Sequence, residues 1–248
     1  METQFSRTQM MIGSTAVEKL RMSRVAVFGV GGVGGYVVEV LARSGVGAID
    51  MIDNDRVCLS NLNRQIVALH STIGRLKVDV AAERVHDINP QCAVSKYPMF
   101  YLPENADEID LTQYDYVVDC IDTVTAKIEL IRRCHALRVP IICSMGAANK
   151  MDATAFRVVD IARTQMDPLA KVIRKKLRTL GIERLKVVFS DEPPLRPVES
   201  ADELSSNRRA VPASNAFVPA AAGLVVGGEV VKDLIGWSSP HHQSSPVG

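Results

Sequence analysis

Glycines and a carboxylate in the first part of the chain have the types and spacing of a nucleotide site. Four glycines follow a short apolar run: Gly29, Gly31, Gly32 and Gly34. At a strand-to-helix turn, such glycines let a phosphate approach the N–H groups at the helix N-terminus. Asp53 lies 19 residues after Gly34, where this kind of fold places a carboxylate on the ribose hydroxyls, and Asp55 could share that role. The pattern predicts that a nucleotide binds here; a tight turn that binds nothing is the alternative.

Polar and basic side chains downstream of Asp53 could bind the phosphates of that nucleotide. They are Asn61, Asn63, Arg64, Gln65 and Lys77. A guanidinium grips phosphate oxygens in bidentate fashion, and asparagines add neutral donors. A lysine is a point charge suited to β- and γ-phosphates and to departing pyrophosphate. These residues shift the interpretation from hydride transfer towards the activation of a carboxylate by ATP.

Asp122 is the candidate metal-binding and catalytic carboxylate. It follows an apolar run, 116–120, at the carboxyl edge of the predicted sheet, where open α/β sheets bind ligands. A carboxylate beside a triphosphate usually holds Mg²⁺. Because Thr123 and a helix come next, a plain helix cap is the alternative, and Asp119 is interpreted as part of the strand end.

The elements that must position these residues alternate between strand and helix. Apolar runs predict strands at 25–28, 48–52, 94–97, 116–120 and 140–143. Helices are predicted at 36–43, from a cap at Ser71 or Thr72 to residue 89, and at 126–138. This alternation predicts the α/β class, with a doubly wound, mainly parallel sheet of the Rossmann type.

The whole chain, 1–248, is interpreted as a single ATP-binding domain with elaborations. Residues 1–20 form an N-terminal helical arm, and 160–215 contribute a basic helix at 169–180, a strand at 186–189 and a long crossover loop. A small-residue helix is predicted at 216–235, and 238–248 are predicted to be a disordered tail.

Composition excludes several classes of protein. Hydrophobic residues make up 47% and the net charge is +1, so only a local patch could attract nucleic acid or a membrane. The five cysteines form no C-x-x-C pair, which argues against a zinc ribbon or a disulfide framework. The N-terminus lacks an apolar signal core, and no charge-free apolar run is long enough for a bilayer. We therefore expect a cytoplasmic protein with no membrane partner.

In their order along the chain, these motifs resemble the ubiquitin-activating-enzyme-like (ThiF/MoeB) adenylyltransferase superfamily. The resemblance rests on Gly29–Gly34, Asp53–Asp55, Ser60–Gln65, Gly74–Lys77 and Asp119–Asp122. It implies a homodimer that adenylates a carboxylate with MgATP and releases pyrophosphate. By matching position, it also implies that Asp53 binds the ribose, that Asn63, Arg64 and Lys77 handle the phosphates, and that Asp122 serves metal binding and adenylation. Arg7 matches an N-terminal arginine that reaches into the partner subunit's ATP site.

Within that superfamily, the chain resembles the tRNA threonylcarbamoyladenosine dehydratase branch. Residues 144–148 and 160–170 carry this resemblance, whereas zinc-binding cysteine pairs and any cysteine in 152–248 are absent. The branch implies that the carboxylate of N6-threonylcarbamoyladenosine in tRNA is adenylated. The carbamoyl group then closes a ring and expels AMP, with net loss of water. A monovalent cation (K⁺ or Na⁺) at 144–148 and sulfur-transfer helper proteins are further expectations.

A tRNA substrate requires a binding surface, and one predicted helix carries basic residues that could form it. Lys171, Arg174, Lys175 and Arg178 share one face of that helix by their spacing. Such a stripe can contact the phosphate backbone in a salt-dependent way. From the pattern alone, a solvated amphipathic face is the alternative.

Three other functions remain open on the sequence. The first is an adenylyltransferase that activates the C-terminus of a ubiquitin-like sulfur-carrier protein, which the missing zinc pairs disfavour. The second is an NAD-dependent oxidoreductase, which the glycine loop permits but Arg64 and Lys77 disfavour. The third is a non-catalytic dimeric module that binds ATP without releasing pyrophosphate.

Overall fold

A computed structural model describes residues 2–198 and 212–237 of the chain. The strands are β1 Arg24–Phe28, β2 Ala48–Ile52, β3 Ala93–Tyr97, β4 Tyr116–Asp119, β5 Ile141–Ser144, β6 Phe156–Asp160 and β7 Lys186–Ser190. They form one seven-stranded sheet in the order β3-β2-β1-β4-β5-β7-β6. Neighbouring strands run parallel except β6, which is antiparallel to β7.

Helices cover both faces of this sheet. They are α1 Ser6–Ile12, α2 Ser14–Met22, α3 Gly34–Ser44, α4 Lys77–Ile88, α5 Val124–Leu137, α6 Pro168–Thr179 and α7 Val218–Ile235. In β1, Val25 and Val27 pack with α3, α4 and α7, whereas Ala26 and Phe28 pack on the opposite face with α5. A third buried cluster joins α5 and α6 over β5 and β7. The predicted doubly wound, mainly parallel α/β fold is confirmed.

The central strands were predictable because they are buried on both faces and therefore read as continuous apolar runs. Four of the five residues of β1 and all four of β4 are buried. Strand β6 was not predicted. It lies at the edge of the sheet and buries only Phe156, so its sequence carries no clear apolar run.

The predicted start of α4 at Ser71 or Thr72 is wrong. Both residues lie in a short 3₁₀ turn, where the Thr72 hydroxyl donates to the Val67 carbonyl at 2.8 Å and accepts from the Leu69 N–H at 2.9 Å. Gly74 then adopts a left-handed conformation with φ of +87°, which interrupts the helix. The helix therefore begins at Lys77 instead of running through it.

The elaborations are only partly separate from the sheet. The N-terminal arm consists of α1 and α2, and α1 buries none of its side chains. Between residues 160 and 215, α6 packs against α5, but β7 pairs with β5 inside the main sheet. Most of the predicted long loop, 199–211, and the predicted tail, 238–248, lie outside the described residues. None of the helices in the described ranges is long and apolar enough to span a bilayer.

Candidate nucleotide site

A cavity of about 480 Å³ opens at the carboxyl ends of β1, β2 and β4. Ligand pockets in proteins commonly have this size, and open α/β sheets bind ligands at this edge. The sequence-predicted residues that line it are Gly29, Gly31, Gly32, Asp53, Asp55, Asn61, Arg64, Gln65, Lys77 and Asp122. Gly34 and Asn63 do not line it, and neither do Arg7 and the four basic residues of α6.

The glycine loop is shaped by two close approaches of backbone to backbone. Gly29 has φ of +88°, and a Cβ atom there would lie 2.8 Å from the Cys120 carbonyl oxygen. A Cβ atom on Gly34 would lie 1.8 Å from the carbonyl oxygen of Gly29. Gly34 therefore lets α3 start directly against the loop, without itself facing the cavity.

Asp53 holds the glycine loop against the segment that follows β2. Its carboxylate accepts hydrogen bonds from the Val30 N–H at 2.7 Å and from the Asp55 N–H at 2.8 Å. Burial raises the pKa of Asp53, although the charge of Lys77 and these hydrogen bonds oppose the shift. The Asp53 carboxylate therefore lines the cavity and also joins two of the segments that form it.

Lys77 is the buried cation of the site. Only 4% of the residue is exposed, and its Nζ donates to the Asp55 carboxylate at 2.7 Å. As the first residue of α4, it brings its side chain to the carboxyl edge of the sheet. The ammonium of Lys77 is therefore fixed at the cavity, beside the exposed carboxylate of Asp55.

Arg64 and Gln65 present unused hydrogen-bonding groups to the cavity. Arg64 donates through Nη1 to the Ser60 carbonyl and to Asn63 Oδ1, both at 2.9 Å. Its Nε and Nη2 have no acceptor among residues 2–198 and 212–237. Gln65 is buried, and its Oε1 is likewise without a partner in those ranges. An unpaired buried amide oxygen at a cavity is expected where a ligand supplies the donor.

Asn61 and Asn63 have structural contacts that the sequence did not reveal. Asn61 Oδ1 accepts from the Cys58 N–H at 3.1 Å and so closes a turn. Asn63 Nδ2 donates to the carbonyl of Ser214 at 3.0 Å, and Ser214 lines the cavity. Asn149 holds the same wall, because its Oδ1 accepts from the Ala213 N–H at 2.8 Å.

Asp122 is an exposed carboxylate on the cavity wall. It is not the N-cap of α5, since Thr123 occupies that position. The only hydrogen bond to its side chain within the described residues is a 3.4 Å contact from the Thr123 hydroxyl. The alternative interpretation as a helix cap is therefore wrong, and the carboxylate is available for a ligand.

Sequence reasoning missed several residues around this cavity. Met99, Phe100 and Tyr101 line it from the segment after β3, which could have been identified because that segment leaves the same sheet edge. Lys127 was missed as well. It is fully buried in α5 and donates to the Asp119 carboxylate at 2.8 Å. A lysine between apolar neighbours on the helix that follows the strand was the available signal.

The remaining sequence-predicted residues lie away from the cavity. Arg7 is exposed on α1, and Lys171, Lys175 and Arg178 are exposed on α6. Arg174 differs from those three because it is half-buried and donates to the Thr164 carbonyl at 2.8 Å and to its hydroxyl at 2.5 Å. Its guanidinium therefore also anchors α6 to the turn before it.

Comparison with known proteins gives consistent similarities over nearly the whole chain. The ThiF family profile matches residues 5–246. The tRNA threonylcarbamoyladenosine dehydratase of Bacillus subtilis is 48% identical over 240 residues, which cover 94% of both chains. The crystal structure of E. coli tRNA N6-threonylcarbamoyladenosine dehydratase in complex with AMP is 34% identical, with a TM-score of 0.86 over 94% of each chain. The structure of that enzyme with ATP is 33% identical, with a TM-score of 0.86 over 97% of this chain and 96% of the other.

Proposed function

The chain belongs to the ThiF family, and from that premise we propose that it is an ATP-dependent tRNA threonylcarbamoyladenosine dehydratase. The observation that carries the proposal is its likeness, over almost the full length of both chains, to a relative of that name. The cavity supports it, because it places two basic side chains and a free carboxylate where a nucleotide's phosphates would lie.

The first step of the reaction is adenylation. The carboxylate of N6-threonylcarbamoyladenosine in tRNA attacks the α-phosphorus of ATP, the bond to the bridging oxygen breaks, and pyrophosphate leaves. Arg64, through its Nε and Nη2, and Lys77, through its ammonium, stabilise the charge on the departing group. Both side chains are already held by protein acceptors, so little reorganisation is needed when ATP binds.

The second step is ring closure within the activated nucleoside. The carbamoyl group attacks the acyl carbon and loses a proton, and the bond to AMP breaks. Together the steps remove one water from the modified adenosine. No protein nucleophile is required, which agrees with the absence of cysteine from residues 152–248.

We assign the nucleoside half of ATP to Asp53 and also to Gln65, which the sequence placed among the candidates for phosphate binding. Each Asp53 oxygen already accepts one N–H and retains a lone pair for a ribose hydroxyl. The unpaired Oε1 of Gln65 fits a donor, and the hydroxyl and amino groups of adenosine are the donors that ATP carries.

Asp122 is the group that would hold Mg²⁺, whose role when bound is to neutralise phosphate charge. The fit rests on its carboxylate, which lines the cavity with only one long hydrogen bond. Within 2–198 and 212–237, no three or more His, Cys, Asp or Glu side chains are grouped so that they could hold a metal ion, so phosphate oxygens and waters would complete the coordination. The proposed K⁺ or Na⁺ site at 144–148 would use backbone carbonyls, because that segment has no carboxylate.

The proposed assembly is a homodimer in which Arg7 reaches the partner's ATP site. Exposed apolar side chains support an interface on α1 and α7: Met10 is 87%, Met11 81% and Leu224 50% exposed. Arg7 lies on α1 beside those methionines and away from the cavity of its own chain. Sulfur-transfer helpers and a cytoplasmic location without membrane contact belong to the same proposal.

The proposed tRNA-binding surface is the basic stripe on α6. Lys171, Lys175 and Arg178 are exposed on one side of the helix. The guanidinium of Arg174 lies between them but is half-buried and bonded to Thr164. Their positive charge would attract the phosphate backbone.

Nucleoside mass spectrometry tests the function directly. Threonylcarbamoyl-modified tRNA is incubated with the protein and MgATP, with a matched reaction without ATP. We expect an ATP-dependent loss of one water from the modified adenosine. An unchanged nucleoside would overturn the proposal. Pyrophosphate exchange with ubiquitin-like carrier proteins would then examine the alternative carboxylate substrate.

A further inference from the structure

A fully buried ion pair joins the carboxyl ends of two neighbouring strands. Lys127 and Asp119 are both 0% exposed, and Nζ of Lys127 lies 2.8 Å from Oδ2 of Asp119. The same ammonium donates to the carbonyl of Ser144, the last residue of β5, at 3.1 Å. The other oxygen of Asp119 accepts from the Ile121 N–H at 3.1 Å. One lysine side chain therefore fixes the ends of both β4 and β5.

The segments that leave these two strand ends both line the nucleotide cavity. Residues 120–122 follow β4 and carry Asp122, and residues 147–148 follow β5. The glycine loop packs closely against residues 120–122, because a Cβ on Gly29 would lie 2.8 Å from the Cys120 carbonyl oxygen. Lys127 thus lies behind the wall that presents Asp122, without reaching the cavity itself.

Stability alone does not account for a charged pair at this place. A buried ion pair can often be replaced by apolar side chains without loss of stability, because desolvation offsets the attraction. Burial alone would lower the pKa of Lys127, but the interactions with Asp119, Cys143 and Cys120 together raise that pKa, so the ammonium stays charged. What the charge provides beyond packing is a directed link from Asp119 to the Ser144 carbonyl.

We propose that Lys127 is a positioning residue for adenylation, which sets the place of Asp122 relative to Ala147 and Ala148 in the segment that follows β5. The proposal rests on the proposed function for its kinetic consequence. Lys127 touches neither ATP nor tRNA; it acts on kcat through the placement of Asp122. ATP affinity is governed by Arg64, Gln65 and Asp53 and is not expected to depend on this link.

Kinetics of Lys127→Met test the proposal. We expect kcat for threonylcarbamoyladenosine dehydration to fall about 100-fold, as a displacement near 1 Å can cause. KM for ATP should stay unchanged, because the hydrogen bonds of Lys127 go to Asp119 and Ser144 and so place Asp122 without binding ATP. Arg24→Met is the matched control, because Arg24 pairs with the buried Asp50 at 2.7 Å. Arg24 is the first residue of β1 and so lies at the amino end of that strand, away from the cavity. That variant should lose comparable stability and keep its kcat. Equal kcat in the two variants would overturn the proposal.

The double variant Lys127→Met with Asp119→Asn separates positioning from folding. It leaves no buried unpaired charge, and the asparagine retains an acceptor for the Ile121 N–H. Stability should therefore recover relative to the single variant, whereas kcat should stay low because the Ser144 link is still missing. Recovery of kcat together with stability would assign Lys127 a structural role only.

Amide hydrogen exchange gives a second readout that does not depend on turnover. We expect Lys127→Met to speed exchange at 119–123 and 144–148, and Arg24→Met to leave both segments protected. Unchanged protection at these segments would overturn the proposal even if the wild-type protein were inactive in the tRNA assay. Inactivity of the wild type would instead count against the proposed function.

Discussion

Lys77 and Asp55 are joined twice in the structure. The ammonium of Lys77 donates to the Asp55 carboxylate at 2.7 Å, and the Lys77 backbone N–H donates to the Asp55 carbonyl at 3.0 Å. The first residue of α4 is thereby fixed to the segment that follows β2. The lysine is buried, whereas the carboxylate is 61% exposed, so an arriving phosphate can compete with Asp55 for the ammonium.

Replacing Lys77 with methionine should remove the cation to which we assign the stabilisation of departing pyrophosphate. We expect kcat for pyrophosphate release to fall about 100- to 1,000-fold, the usual effect of losing one preorganised donor. Asp55→Asn should have a much smaller effect, because the backbone bond still holds Lys77. Lys96→Met is the matched control, since Lys96 forms an exposed ion pair with Asp79 outside the cavity. Equal losses in Lys77→Met and Lys96→Met would contradict the assignment.

Replacing Asp122 with asparagine should abolish turnover while largely sparing ATP binding. The carboxylate has one long hydrogen bond from Thr123, so its removal leaves the fold intact. Calorimetric titration with a non-hydrolysable ATP analogue and the dehydration assay separate the two effects. Glu104→Gln removes an exposed carboxylate outside the cavity and should keep full activity. Full activity in Asp122→Asn would mean that the mechanism assigned here is wrong.

Replacing Gly29 with alanine should destabilise the protein more than the same change at Gly181. Both glycines have positive φ, which costs an alanine about 1–2 kcal/mol. At Gly181 nothing lies within 4 Å of the added Cβ, whereas at Gly29 the Cys120 carbonyl oxygen is 2.8 Å away. Chemical denaturation should show the difference, and only Gly29→Ala should weaken ATP binding. Equal free energies of unfolding for Gly29→Ala and Gly181→Ala would indicate that the glycine loop shifts at no energetic cost.

Local patterns allowed much of the site to be predicted from the sequence. The glycine loop and Asp53 lie at ends of buried strands that read as apolar runs, and strand ends in a parallel sheet share one edge. Ten of the predicted residues meet in the cavity, and the glycines, Asp53, Asp55 and Asp122 do so for that reason. Their chemical roles remain predictions.

The rest depends on contacts between distant parts of the chain. Asn63 bonds to Ser214 across 151 positions, and Lys127 bonds to Ser144 across 17. Spacing along the chain cannot show which amide will be used for a phosphate and which for a neighbouring segment. The buried Lys127 also breaks the rule that lysines lie at the surface, because Asp119 compensates its charge.

Acid should affect the wild-type protein and an Asp53→Asn variant differently. Burial raises the pKa of Asp53, so the folded protein holds a proton where the unfolded chain has lost it. Between the ordinary value of 3.8 and the raised value, the contribution of Asp53 to the free energy of unfolding therefore falls as pH rises. Denaturation curves from about pH 4 upwards should show the variant gaining stability relative to wild type until the pH passes the raised pKa of Asp53. A constant difference, or a slope of opposite sign, would contradict the shift; Glu104→Gln controls for net charge.

Replacing Lys171, Lys175 and Arg178 together with glutamine should weaken tRNA binding and its salt dependence. For every phosphate that is no longer neutralised, the slope of log affinity against log salt should fall by about one unit. ATP binding should not change, because these residues lie outside the cavity. Fluorescence anisotropy with labelled tRNA over a salt series measures the slope.

Lys176→Gln is the single-charge control, since Lys176 is exposed on another side of α6. Arg174→Gln should change the slope less than Lys175→Gln, because part of the Arg174 guanidinium already bonds to Thr164. An unchanged slope in the triple variant would place the tRNA on another surface.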